Sequence, residues 1–450
     1  MCYVLLKRYI SGNSVASGAA VLAFTQFGAS LAGLVRDRVL AGAFPPGRDQ
    51  LDVVSVYIAA FRPSDLLFQM LVMSALSVAL VPLLASHLAH GREEEMNKLT
   101  SSVLLLFNVL FGILVLTLTL TLPWIAPFLV KFQGESLELY VSFARLASLT
   151  NFLFVSGNIL GHVLITRQTY VVYGITPVLF TVGTIVGTLA IDGPYGPMVG
   201  TVAGALMYVA LRTWAVVKAG YQFSIFNFQF SKVVHPELRE MGFLMIPRAL
   251  ALGAVQLELL LFDTLASGLG LGAVTVNAYA RNFQSVAVGV IGIALAQSVF
   301  SSLSQAHARE EHERFKALLK ESVGWVLLSS IAATVGLIVL APFAAWLVNI
   351  TGTPVLPLFL FAVAMYALGI PFESINHLLH RAFYAQRDSR TPAVASVMNA
   401  VVAVTVTWLL LPRFGVVGIG IGFVIGQAVQ TVLLWGGLRR VHQYFAKLKG

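Results

Sequence analysis

Apolar stretches of membrane-spanning length follow one another along almost the whole chain, and this recurrence constrains the fold more than any single motif. A helix needs about 20 residues to cross the hydrocarbon core. Runs bounded by charge or turn residues fall near 14 to 43, 53 to 86, 99 to 122, 139 to 166, 169 to 191, 196 to 217, 241 to 266, 273 to 304, 322 to 348, 354 to 383, 391 to 411 and 415 to 438. Twelve such spans take up most of 450 residues and leave no room for a sizeable soluble domain. Composition agrees, with 58% hydrophobic and 11% charged residues against roughly 45–50% and 25% in soluble chains. The expected fold class is an all-α polytopic membrane protein. Prolines 63, 82, 177, 247 and 371 lie within the longer runs and predict tilted or kinked helices. Without the apolar run of a signal peptide before it, the first segment reads as a retained span. The single cysteine, Cys2, allows neither an intramolecular disulfide nor a cysteine-based zinc cluster.

Charge sets the expected orientation. Of the 29 Lys and Arg residues, twenty fall on the N-terminus, the even-numbered loops and the C-terminus; this set includes Lys7, Arg8, Arg212, Lys232 and Lys449. Five fall on the opposite side and four within spans. The positive-inside rule then puts both termini in the cytoplasm. The net charge of +9 is dispersed over short loops without aromatic interleaving, so it implies no nucleic-acid partner.

The chain also repeats itself. Ser156, Asn158, Leu160 and His162 form S-x-N-x-L-x-H, which Ser374, Asn376, Leu378 and His380 form again 218 residues later. Gly200-x-x-x-Gly204 recurs at the same offset as Gly418-x-x-x-Gly422, and His90-x-Arg92-Glu93-Glu94 recurs one residue short of it. A duplication of six spans follows, giving an N-terminal lobe of 1–225 and a C-terminal lobe of 226–450. Six is even, so both copies keep one membrane orientation, and repeats of this kind place a substrate path between lobes.

No Walker loop, H-E-x-x-H, G-x-S-x-G or cysteine nucleophile appears, so no catalytic residues, metal ligands or cofactor are expected, and an enzyme is disfavoured. What remains is ionisable residues at membrane depth, which are costly there. These are Arg36, Asp37 and Arg38 in span one, Arg62 and Asp65 in span two, Arg145 in span four, Arg248, Glu258 and Asp263 in span seven, Arg281 in span eight and Glu373 in span ten. Internal salt bridges would explain any one of them. For the group, the sharper account is a cavity lined by guanidinium groups, whose planar fork suits phosphate oxygens. The G-x-x-x-G pairs read as close helix contacts, and His162 and His380 read as capping or loop contacts. The segment from Ala306 to Glu321 reads as a solvated connecting helix with Glu310 and Arg314 at i and i+4.

Several strings resemble a known family. Gly33-Leu-Val-Arg-Asp-Arg-Val-Leu-Ala-Gly-Ala-Phe44, Phe262-Asp-Thr-Leu-Ala-Ser-Gly268, Arg381-Ala-Phe-Tyr-Ala-Gln-Arg-Asp-Ser-Arg-Thr-Pro392 and Phe414-Gly-Val-Val-Gly-Ile-Gly420 look like the MurJ/MviN lipid II flippases of the MOP exporter superfamily. The resemblance implies a two-lobed helical transporter in the bacterial cytoplasmic membrane that moves lipid-linked peptidoglycan precursor outward by alternating access. Arg36 and Asp37 match the family's Arg-Asp pair, and Arg281 lies one position from a family cavity arginine. The chain departs from the pattern at Ser30, Phe68, Gln69 and Met73, where the family carries charge, and its expected spans number two fewer than in typical members.

On this basis Arg36, Asp37, Arg62, Arg248 and Arg281 are the expected substrate-binding residues, and Asp65, Glu258, Asp263 and Asn399 the candidates for cavity or ion-coupling roles. Coupling is expected to Na+, H+ or the membrane potential, with no bound cofactor. The expected partners are a lipid-linked anionic oligosaccharide, membrane lipids and envelope-synthesis proteins. Two rivals stay open: a polysaccharide-repeat flippase or drug exporter of the same superfamily, and a membrane scaffold that transports nothing.

Overall fold

The computed structural model describes residues 15–48, 51–74, 76, 80–221 and 236–448. Cys2, Lys7, Arg8, Lys232, Lys449 and the expected lobe boundary at 225/226 lie outside the described residues. Among those described, all regular structure is helical. Eleven helical stretches, from Val53–Met73 to Val416–Leu438, are long and apolar enough to cross a membrane. Ahead of them runs α1 (Val15–Ala43), where the first span is expected.

The remaining helices follow in chain order. They are α2 (Val53–Phe68), α3 (Val81–Ala89), α4 (Glu93–Leu129), α5 (Glu135–Thr166), α6 (Tyr170–Ala190), α7 (Gly196–Lys218), α8 (Pro236–Ala266) and α9 (Ala273–Val288). Then come α10 (Ala294–Ala308), α11 (His312–Val339), α12 (Ala341–Leu347), α13 (Leu356–Leu368), α14 (Ile370–Ala385), α15 (Arg390–Phe414) and α16 (Val416–Leu448). Two helices match in these bounds: α2 and α9 have equal length, and each runs into a five-residue π-helical turn, Gln69–Met73 and Gly289–Ile293. Ser55 and Thr275, at the same position of those two helices and 220 residues apart, touch each other through hydroxyl oxygens 2.9 Å apart.

Prolines divide the longer runs. Pro371 stands in the first turn of α14, where a missing N–H costs least, and the tenth span accordingly breaks between Leu368 and Ile370. Pro82 plays the same part in α3, whereas Pro63 and Pro177 lie inside helices. The stretch from Ala306 to Glu321 is not the separate connecting helix expected. It comprises the end of α10, a turn in which Glu310 takes φ 59°, and the start of α11. That turn removes Glu310 from the helical face of Arg314, which pairs instead with Glu311 at 2.9 Å.

Two compact units emerge. One contains the chain up to Pro45, Ala60–Ala126 and Gly134–Ala249; the other contains Pro46–Ala59, Pro127–Gln133 and everything from Leu250 onward. The first is built on Phe68, Val103, Phe107, Phe111, Ile159 and Val163, all buried, with their neighbours. Its α6 and α7 interlock through the expected glycines: a Cβ at Gly183 would come within 2.6 Å of the Gly200 carbonyl oxygen. In the second unit, Leu303, Phe315, Leu378, Leu379, Phe383 and Leu434 form the equivalent core. Gly422 of α16 meets Thr407 and the Ala403 carbonyl of α15 with the same closeness. Outward faces stay apolar, with Phe24, Trp124, Phe128 and Val432 each more than 70% exposed. In water such a surface would aggregate, and in a bilayer lipid covers it.

Arg212 corrects the loop assignment made for it. It lies within α7, only 1% exposed, and donates to Thr176 Oγ1, the Gly157 carbonyl and the Tyr173 carbonyl at 2.8–3.1 Å. The rings of Tyr173 and Tyr208 cover its guanidinium at 4.7 and 4.0 Å. A cation can sit at this depth because carbonyl and hydroxyl oxygens and aromatic faces replace its water.

Candidate functional site

The expected residues separate by unit. In the first unit, Arg36 is spent on its chain neighbour: Nε and Nη2 both donate to Asp37 Oδ1, at 3.0 and 2.7 Å, and Asp37 is buried. Arg62 is half-buried one turn from Asp65, whose Oδ1 accepts from Asn151 Nδ2 at 2.8 Å. Arg248 is exposed on α8. In the second unit, Asp263 is buried and accepts from Asn277 Nδ2 at 3.3 Å, and Asn277 in turn accepts from the Tyr366 hydroxyl at 2.6 Å.

Glu258, Arg281 and Asn399 come together. They line one cavity of about 90 Å³ inside the second unit, with Val255, Glu373, Asn376, His377, His380, Ser396, Gln427 and Gln430. Five helices contribute, α8, α9, α14, α15 and α16, each turning a polar edge inward. Buried polar side chains in an apolar surround need partners, and most of these have them. Asn376 Nδ2 donates to both the carbonyl and Oε1 of Gln427, at 3.0 and 2.9 Å, while its Oδ1 accepts from Thr431. Gln430 Nε2 donates to Ser396 Oγ and to His380 Nε2, both at 3.1 Å. His380 is thus a helix-to-helix contact rather than the cap expected of it. Gln284 Nε2 donates to Glu373 Oε2 at 2.7 Å.

The exceptions cluster at one end. Glu258 is 2% and Asn399 3% exposed, and Asn399 Nδ2 donates to Glu258 Oε2 at 3.2 Å. Glu258 Oε1, Asn399 Oδ1 and Arg281 Nη1 have no hydrogen-bond partner among the described residues. The Arg281 guanidinium lies over the Phe423 ring at 4.6 Å, so one of its faces is covered by an aromatic surface instead of a carboxylate. A space of this size holds a few waters or the tip of an anionic group, not a sugar.

Residues 52–449 match the family model described as lipid II flippase MurJ. The chain belongs to the MurJ lipid II flippase family. That family is one of transporters, not enzymes. Among its curated relatives, the lipid II flippase MurJ of Burkholderia cenocepacia is 25% identical over 421 residues, covering 91% of this chain and 80% of that one. The probable lipid II flippase MurJ of Rickettsia prowazekii is 23% identical, with coverages of 95% and 83%. Among solved structures, a lipid II flippase MurJ in an inward closed conformation superposes with a TM-score of 0.76 at 19% identity, covering 93% of this chain and 87% of that one. An inward-facing MATE transporter of the MOP superfamily gives 0.77 at 16%, with coverages of 91% and 94%. At those identities the structural likeness fixes the fold alone. The fold class and membership expected from the residue strings agree with these findings.

Glu373 and the histidine of the S-x-N-x-L-x-H string were visible in the sequence as a membrane-depth acid and as part of a repeat. His377, Gln427 and Gln430 carried no signal of their own. One was available: Glu373, Asn376, His377 and His380 recur at helical spacing and put a polar stripe on an otherwise apolar span.

Proposed function

We propose that this chain carries lipid II, the lipid-linked peptidoglycan precursor, from the cytoplasmic to the outer leaflet of the bacterial cytoplasmic membrane by alternating access. The carrying observation is the family match over residues 52–449. The loop cations support an orientation with both termini in the cytoplasm. The direct test is a leaflet-resolved flipping assay with purified protein in vesicles. Lipid II should change leaflets faster than in protein-free vesicles, and equal rates in the two would remove the proposal.

For the cargo's pyrophosphate we propose Arg281 as the first contact, with Arg36, Asp37, Arg62 and Arg248 as further members of the substrate-binding set. Arg281 is supported by a guanidinium nitrogen without a hydrogen-bond partner among the described residues and by its place on a polar cavity. Bidentate phosphate binding depends on the planar fork, which lysine lacks. Arg281→Lys should therefore slow flipping nearly as much as Arg281→Ala, by about tenfold or more for the loss of one charge-assisted contact, at unchanged expression. A lysine variant that flips at the wild-type rate would reduce Arg281 to a structural cation. Asp65, Glu258, Asp263 and Asn399 are proposed as the polar residues through which an ion couples to this movement, and Glu258 with Asn399 is developed next.

A further inference from the structure

We propose that Glu258 is a proton-binding site, holding its proton on Oε1 as one half of a carboxylic acid–carboxamide pair with Asn399. The first bond of the pair is present, from Asn399 Nδ2 to Glu258 Oε2. What remains unpartnered on the two residues is Glu258 Oε1 and Asn399 Oδ1. In the carboxylate form both atoms are acceptors, and two acceptors on adjoining buried side chains have nothing to exchange. A proton on Oε1 turns one of them into a donor and completes the pair. An ionised Glu258, by contrast, would keep a buried oxygen with no donor supplied by Asn399, which is costly.

A hard cation fits less well. Two unpartnered oxygens fall short of the roughly six ligands such ions gather, and Arg281 brings a positive charge to the same cavity. The charged and titratable groups facing Glu258 are Arg281 from α9 and Glu373, His377 and His380 from α14. The cavity residues of α15 and α16, Ser396, Asn399, Gln427 and Gln430, are all neutral. His380 accepts from Gln430 through Nε2, which makes it a neutral ring.

The arrangement gives the proton a consequence. With Glu258 neutral, Arg281 keeps its place over Phe423 with Nη1 unpaired, available to an anion. Once Glu258 loses its proton, its carboxylate becomes a charged partner for that guanidinium within the same cavity, and the two would pair. Proton and anionic cargo therefore favour the same state of Arg281, and by linkage each strengthens binding of the other. This last step rests on the cargo reading above, whereas the proton site does not.

The test takes each part in turn. Infrared spectra of the purified full-length protein, recorded in H2O and D2O from about pH 6 to 8, should contain a neutral carboxyl band, in a range where an ordinary glutamate is ionised. That band should vanish in Glu258→Gln, persist in Glu373→Gln, shift in frequency in Asn399→Val, and stay unchanged when sodium chloride replaces choline chloride. Absence of a band assignable to Glu258 overturns the proton site, as does its loss on adding sodium. The Asn399→Val shift, read on a retained glutamate, keeps the site testable should Glu258→Gln fail to fold. Vesicles carrying lipid II with an imposed pH gradient then test coupling: wild-type flipping should respond to the gradient, and that of Glu258→Gln should not. An unchanged response in Glu258→Gln overturns coupling. No flipping by wild-type protein that retains the band would count against the cargo and leave the proton site intact.

Discussion

At Asp52, a residue just before the second span, sequence, backbone and charge oppose one another. Its φ is 43°, and its Oδ2 accepts from the Gly272 amide at 2.9 Å while Oδ1 has no partner among the described residues. Burial pushes its carboxyl above the ordinary aspartate value, against the lowering effect of the Gly272 and Ser55 bonds. A folded-state pKa above the unfolded one means that stability falls as pH rises from the unfolded value through the folded one, then levels off. Asn keeps the acceptor, tolerates positive φ and carries no charge. Asp52→Asn should leave thermal stability unchanged at low pH and raise it above the shifted pKa, so a constant difference across the whole titration would exclude the charge as its cause. Arg212 is the opposite case, a charge whose partners are all in place. Arg212→Met removes three hydrogen bonds and the cation between two tyrosine rings, so it should lower stability by about 3 kcal/mol. Thermal unfolding in detergent measures both.

Among the elements, helix existence was legible and helix company was not. The spans read from apolar runs coincide closely with the observed helices because hydropathy acts on each segment by itself. Even the break at Gly369 follows from Pro371, whose effect is local. The π-helical turns after α2 and α9 could not be anticipated, since nothing in Gln69–Met73 resembles Gly289–Ile293. The cavity was hidden for a similar reason: Glu258 and Asn399 are 141 residues apart, and tertiary packing alone pairs them. Glycine contacts lie between these extremes, because the G-x-x-x-G spacing marks a close face without naming the helix opposite. Gly183→Ala should cost about 1–3 kcal/mol by driving a methyl into the Gly200 backbone. Gly336 in α11 has nothing within 4 Å of an added Cβ, so Gly336→Ala should be neutral or stabilising by up to about 1 kcal/mol. Equal effects of the two substitutions would mean that α6 and α7 do not interlock as described.

For the molecule as a whole, Cys2 is the sole native cysteine, so a Cys2→Ser background opens the chain to single-cysteine labelling. Cysteines placed at His90 and His312 should react with an impermeant reagent only after the membrane is breached, and labelling in intact cells would reverse the proposed orientation. The division into compact units supplies another test. Ser55 precedes the point in α2 where one unit gives way to the other, and both it and Thr275 belong to the second unit. A Ser55→Cys, Thr275→Cys crosslink should therefore form readily and leave flipping at the uncrosslinked rate. Arrest of flipping by that crosslink would mean that this end of α2 must part from α9 during the cycle. The same contact limits how the two halves of the chain can drift apart in sequence. Under the duplication that the repeated strings predict, most positions diverge one copy at a time, but a residue touching its own counterpart is bound to it. A larger side chain at 55 must be met by a smaller one at 275, and loss of the Ser55 hydroxyl takes a partner from both the hydroxyl and the amide of Thr275. Exchanging the two, Ser55→Thr with Thr275→Ser, should be tolerated where Ser55→Val alone is not.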